Sequence, residues 1–242
     1  MIIGVVGGMG SYATLHFFKR YLEIFPAERE WERPRIIIDN RCTMPSRVRA
    51  VIYNENFEKV VEELTDSIQH LLDAGCDYIV LTCGTSHIFL EEVYKKIPYA
   101  KEKVLNIIEL CAKYIVENKL GNKFSLLATE GSIQSGIYQQ EFSKYGLDII
   151  KPREDALQTF REYIEAVKTN KIDQETLDNF TELLNQQESE LIILGCTEFP
   201  VLYEMIDKQK INAKIVIFDP LEIVLNKLHG IYINKICRGS EK

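Results

Sequence analysis

The chain has 242 residues, 46% apolar and 27% charged, which are globular proportions and exclude an intrinsically disordered chain. Twenty-nine basic against 36 acidic residues give a net charge of −7, the opposite sign to a nucleic-acid footprint, so no nucleic-acid partner is expected. No apolar run approaches the roughly 18 residues of a membrane span, so no membrane partner is expected either.

At about 150 residues per domain, the length allows one large domain or two small ones. The opening MIIGVVGGMG has no basic leader and breaks into glycines, so it reads as a buried strand rather than a signal peptide. Six cysteines (Cys42, Cys76, Cys83, Cys111, Cys196, Cys237) without a CxxC pair point to reduced thiols in a cytoplasmic protein. They give no reason to expect a structural metal.

The predicted elements alternate along the chain. Residues 2–6 (IIGVV) are a strand buried on both faces, as parallel strands are. Gly7-Gly8-Met9-Gly10-Ser11 follows, a turn suited to presenting backbone amides to a carboxylate or phosphate. Residues 8–13 also fit the loose dinucleotide pattern G-x-G-x-x-A. The next acidic strand-end residue, Asp39, lies 29 residues past Gly10, against about 20 expected, which argues against that reading. A helix over 14–25 precedes a strand at 35–39. The segment 44–49 (MPSRVR) reads as a loop with two arginines, and an arginine fork binds a carboxylate bidentately.

A helix over 56–75 leads to the strand 77–82 and then to Cys83-Gly84-Thr85-Ser86-His87. A strand at 103–107, a helix at 108–121 and a strand at 123–129 follow, the last running into Thr129-Glu130-Gly131-Ser132. A helix over 135–146, a strand at 147–151, helices at 161–170 and 173–187, and strands at 189–195 and 214–219 complete the pattern. Gly75, Gly121 and Gly146 sit where helices end in a left-handed residue. Strand–helix alternation predicts an α/β fold with parallel sheets.

The two halves echo one another. Gly8 to Cys83 spans 75 residues and Gly131 to Cys196 spans 65, each beginning at a glycine turn and ending at a cysteine after an apolar strand. Two similar lobes would then face each other across a cleft with one thiol on each wall, since ligands of open parallel sheets bind beyond the strands' carboxyl ends. Cys83 and Cys196 each precede a threonine and the start of a predicted helix, a setting that lowers a thiol pKa from about 8.5 toward neutrality. His87 lies one helical turn past Cys83, and Glu198 two residues past Cys196. The other cysteines and His16, His70 and His229 read as packing or surface residues.

Taken in order, GGMGSYAT, MPSR, Cys83-Gly84-Thr85-Ser86-His87, LLATEGS followed by Tyr138, IEAVK ending at Lys168, and LGCTE around Cys196 resemble the aspartate/glutamate racemase family. The similarity is greatest to its cofactor-independent aspartate racemases and spans Ile2 to about Leu228. The resemblance implies two Rossmann-like lobes with parallel sheets and the active site in the cleft between them. Residues 1–105 plus a C-terminal segment of about 220–242 would form the first lobe, and 106–219 the second.

It also implies a homodimer and a two-base proton transfer at Cα without any cofactor. Cys83 and Cys196 would be the two catalytic thiols. Gly8, Met9, Thr85, Thr129, Ser132 and Thr197 would line a small amino-acid substrate, and Arg47 and Lys168 would hold its side-chain carboxylate. The family motif Cys-Asn-Thr here has Gly84 in place of Asn. Gly84 thus removes an amide donor, and the space it leaves is expected to hold water or a bulkier substrate. The alternatives that stay open are another cysteine-pair enzyme of the same fold, an isomerase or decarboxylase of a dicarboxylate, and a ligand-binding homologue.

Overall fold

The strands pair only in parallel and assemble into two four-stranded sheets. A computed structural model describes residues 1–239; the last three positions, 240–242, which the sequence reading assigned to the first lobe, lie outside the described residues. The first sheet contains β1 (Ile2–Gly7), β2 (Arg35–Asn40), β3 (Tyr78–Leu81) and β4 (Val104–Leu105), in the order β2-β1-β3-β4. The second contains β5 (Lys123–Leu127), β6 (Asp148–Ile150), β7 (Leu191–Leu194) and β8 (Val216–Phe218), in the order β6-β5-β7-β8. The second order is the first displaced by four strands, so the sequence echo is a repeated topology.

Helices cover both sheets: α1 (Ser11–Ile24), α2 (Arg47–Tyr53), α3 (Phe57–Asp73), α4 (Leu90–Lys96), α5 (Ile107–Glu117), α6 (Glu130–Ser135), α7 (Ile137–Ser143), α8 (Glu154–Lys168), α9 (Gln174–Asn185), α10 (Phe199–Met205) and α11 (Pro220–Gly239). In α3, Val60, Val61, Leu64, Ile68 and Leu71 recur at helical spacing and pack on Val6, Ile79 and Leu81 of the first sheet. Each such buried side chain contributes about 1.5–3 kcal/mol. On the sheet's other face, Ile3 and Val5 meet Phe17 and Tyr21 of α1. That cluster continues through Ile108 and Cys111 of α5 and Val224 and Leu228 of α11 to Phe124, Leu126 and Ile192 of the second sheet. The two sheets therefore share one apolar cluster, with α11 packed on both α1 and α5.

Several local expectations change. The segment 44–49 is not all loop: Ser46 Oγ accepts from the Arg49 N–H at 3.3 Å and caps α2, so Arg47 opens a helix. The strand predicted at 103–107 shortens to two residues because Asn106 becomes the cap of α5, accepting from the N–H groups of Ile108 and Glu109 at 3.0 and 3.2 Å. Gly75 and Gly146 are left-handed as expected, with φ of +79° and +70°. The left-handed residue that ends α5 is Lys119, at φ +55°, rather than Gly121. The helix predicted from 161 starts at Glu154, the helix starts expected after Cys83 and Cys196 become α4, reached through a 3-10 turn at Thr85–Phe89, and α10, and α6 and α11 are additional to the sequence reading. No described helix is long and apolar enough to cross a membrane.

Candidate active site

The carboxyl ends of β1, β3, β5 and β7 meet at the seam between the sheets. Gly8 turns the chain out of β1 at φ +78°, and a Cβ there would lie 2.5 Å from the backbone of Arg41 and Cys42, so only glycine fits on both counts. Its N–H donates to Thr14 Oγ1 at 3.0 Å, so this amide serves the turn itself rather than a ligand. Thr14 Oγ1 in turn lies 3.0 Å from the Gly10 carbonyl and 3.1 Å from Thr82 Oγ1, which ties β1's turn to β3's end.

Met9 is buried, and its carbonyl accepts from Arg47 Nη2. Arg47 Nη1 donates to the carbonyls of Pro45 and Met44 at 2.8 and 3.3 Å. Of the five N–H groups of this guanidinium, three are therefore engaged. The Nε–H is buried and has no hydrogen-bond partner among the described residues.

Cys83 and Cys196 occupy matching positions just past β3 and β7, and both are buried. The lobes touch there. Thr197 Oγ1 donates to the Thr82 carbonyl at 3.1 Å, so the residue after one cysteine is bonded to the residue before the other. A second bridge lies alongside. Thr85 Oγ1 is 2.8 Å from Thr129 Oγ1 and 3.1 Å from Ser132 Oγ, while Thr129 Oγ1 and Ser132 Oγ are 3.1 Å apart. Three hydroxyls from the two lobes thus close a triangle just past the ends of β3 and β5.

The surroundings of the two cysteines differ. His87 does not reach the Cys83 thiol. Its Nδ1 lies 3.0 Å from the Cys83 carbonyl, and the Ile107 N–H at the start of α5 donates to Nε2 at 3.4 Å. Nδ1 therefore carries the proton. Burial pushes the His87 pKa down to about 4, so the ring is neutral and structural. Beside the other thiol, Cys196 Sγ donates to Glu198 Oε2 at 2.9 Å. Burial first, and then the Glu198 carboxylate, hold the Cys196 pKa well above the usual thiol range.

Lys168 ends α8 and pairs with Glu165 at 3.0 Å. Burial works against its charge, yet the carboxylates, Glu198 foremost and then Glu165, raise its pKa overall. With Thr129, Lys168 lines a cleft of about 280 Å³ in which Arg49, Glu130, Arg161 and Glu165 are interleaved with Val48 and Ile52 of α2 and Leu157 and Ile164 of α8.

Gly84 corrects an expectation. A Cβ there would lie 2.5 Å from the Gly195 carbonyl oxygen and 3.0 Å from Tyr138 Oη. Its backbone, at φ −60°, suits any residue, so packing rather than conformation demands glycine. The space is filled by the opposite lobe, not by water or substrate.

A profile of Asp/Glu/hydantoin racemases matches residues 6–228. The chain belongs to the Asp/Glu/hydantoin racemase family. A broad-specificity amino-acid racemase of Bacillus subtilis (strain 168) is 26% identical over 214 residues, covering 86% of this chain and 90% of that protein. The aspartate racemase structure from Picrophilus torridus superposes with a TM-score of 0.75 at 30% identity, covering 95% of this chain and 94% of that one. A glutamate racemase structure from Bacillus anthracis, 20% identical with a TM-score of 0.67, shares the fold over 97% of this chain and 82% of its own. The protein is accordingly an isomerase of the amino-acid racemase class.

Sequence reasoning assigned no role to three residues at this racemase seam. Tyr138 is buried and donates from Oη to the Gly195 carbonyl at 2.9 Å. Thr82 joins both lobes through Thr14 and Thr197. Glu198 was noted only for its spacing; its acidic character directly after a cysteine and a threonine was the available signal.

Proposed function

We propose that this racemase interconverts the enantiomers of an acidic amino acid, aspartate or a related substrate, by proton transfer at Cα between Cys83 and Cys196 without a cofactor. The observation that carries this reading is the pair of buried thiols at equivalent strand ends, joined across the seam by the Thr197–Thr82 hydrogen bond. One thiolate takes the Cα proton from one face. The electron pair of the broken C–H bond passes toward the α-carboxylate, and the opposed thiol gives its proton to the other face. The configuration inverts and the two sulfurs exchange roles. The hydroxyls of Thr85, Thr129 and Ser132 are donors suited to the charge that develops on the carboxylate.

The free Nε–H of Arg47 and the ammonium of Lys168 are suited to a second carboxylate. In this reading Gly8 and Met9 shape the turn beneath Arg47, and Thr197 holds the lobes in register. Residues 1–105 with the C-terminal segment act as one lobe, 106–219 as the other, and two copies of the chain associate in the cytoplasm.

The apolar side chains Val48, Ile52, Leu157 and Ile164, set among the charged residues of the cleft beside Lys168, support a second reading, a racemase that also accepts larger neutral side chains. It agrees with the broad specificity named for the Bacillus subtilis relative. Proton NMR in D2O over a panel of L- and D-amino acids tests both. Loss of the Cα–H signal with aspartate and its near relatives supports the first, and loss with neutral amino acids the second. No exchange with any member, with thiols kept reduced, overturns both.

A further inference from the structure

The two thiols sit in unequal surroundings, and the difference is the carboxylate of Glu198, which packs against the Gly10 turn. Glu198 is buried, 3% exposed, and Oε2 accepts from Cys196 Sγ at 2.9 Å, with Thr197 Oγ1, whose proton goes to the Thr82 carbonyl, 3.4 Å away. Oε1 has no hydrogen-bond partner among the described residues. It occupies the place where a side chain on Gly10 would begin, well inside contact distance. Gly10 has an extended backbone, φ −147° and ψ +128°, that any residue adopts. The third glycine of the GGMG turn is therefore needed to make room for the Glu198 carboxylate. Around Cys83 the corresponding near neighbour, His87, turns to the main chain instead.

We propose that Glu198 is the positioning residue that keeps Cys196 protonated, so that Cys196 is the acid and Cys83 the base of the resting pair. This rests on the two-thiol reading. After a proton moves from Cα to Cys83 and another from Cys196 to Cα, the Cys196 thiolate stands against the Glu198 carboxylate. Like charges in contact in a buried site disfavour that state. It is relieved when the next substrate, of opposite configuration, gives its Cα proton to Cys196 and receives one from Cys83, or when solvent reprotonates the sulfur. The other charged or titratable groups acting on Cys196 are Lys168 from α8, whose ammonium favours the thiolate, and the neutral Tyr138 phenol from α7. Glu198 makes the direct contact and sets the order.

The test is the pH dependence of iodoacetamide alkylation, read separately for Cys83 and Cys196 by peptide mass spectrometry. In the wild type the Cys196 midpoint should lie above that of Cys83. Glu198→Gln keeps the shape and an acceptor oxygen but removes the charge. It should lower the Cys196 midpoint by about one pH unit or more, leave Cys83 in place and reduce kcat by about 10²-fold. Glu198→Asp should return the midpoint toward that of the wild type. Gly10→Ala displaces the carboxylate without altering it and should also lower the Cys196 midpoint. A Cys196 midpoint unmoved in Glu198→Gln, or both cysteines moving together, overturns the proposal. Alkylation reads the Glu198–Cys196 contact whether or not substrate turns over, whereas Cα–H exchange reads the two-thiol reaction, so failure of one is distinguishable from failure of the other.

Discussion

At the residue scale the chemistry depends on sulfur. A serine hydroxyl is far too weak an acid to supply a base near neutral pH, so Cys83→Ser and Cys196→Ser should each lower kcat by about 10²–10⁴-fold. Racemisation followed by optical rotation checks this; near-wild-type turnover in either variant excludes the two-thiol reaction. Solvent deuterium should still enter the enantiomer whose Cα–H faces the remaining thiol. Arg47 makes a different prediction because most of its guanidinium already holds the Met9, Met44 and Pro45 carbonyls. Arg47→Ala should cost roughly 2–5 kcal/mol in kcat/KM for an acidic substrate. Unchanged kinetics would leave Arg47 a purely structural clamp on its loop.

At the scale of elements, His87 fastens the end of β3 to the start of α5 as a neutral ring. Its folded pKa, near 4, lies below the ordinary 6.5. The unfolded chain thus binds more protons between those values, and stability from this group is present above about pH 6.5 and lost as pH falls toward 4. The Asp219 carboxyl, raised by desolvation to about 7, titrates in the opposite sense over part of that range. The useful quantity is therefore a difference. The stability advantage of wild type over His87→Gln, from urea unfolding, should shrink by about 3 kcal/mol between pH 7 and pH 4. An advantage independent of pH would show that the ring is not held neutral.

Elements were legible where local pattern is strong. The apolar strands and the long amphipathic helices α3 and α9 follow from periodicity within a single window. The short α2 did not, because one serine cap outweighs the loop character of a Met-Pro-Ser-Arg stretch. β4 is shorter than its apolar run suggests because Asn106 ends it by capping the next helix.

At the scale of the whole molecule the lobes abut where Gly84 faces Gly195 and Tyr138. Gly84→Asn must push the seam apart rather than fill a void. Overpacking of this kind costs about 1–3 kcal/mol. The variant should show a lower urea midpoint and reduced kcat/KM for aspartate. Unchanged stability with increased aspartate activity would mean that the lobes separate readily and leave room for the amide.

The sequence by itself determined the order of strands and turns, the repeat of the lobe, and the placing of Cys83 and Cys196 at strand ends, because each depends on residues within one or two turns of chain. Tertiary structure decided the rest. It brought Thr197 to Thr82 across 115 residues and Tyr138 to Gly195 across 57, seated Glu198 against Gly10, and turned His87 away from the thiol beside it. No local propensity encodes such pairings; they follow from how two packed sheets exclude water and leave each buried polar group only certain partners.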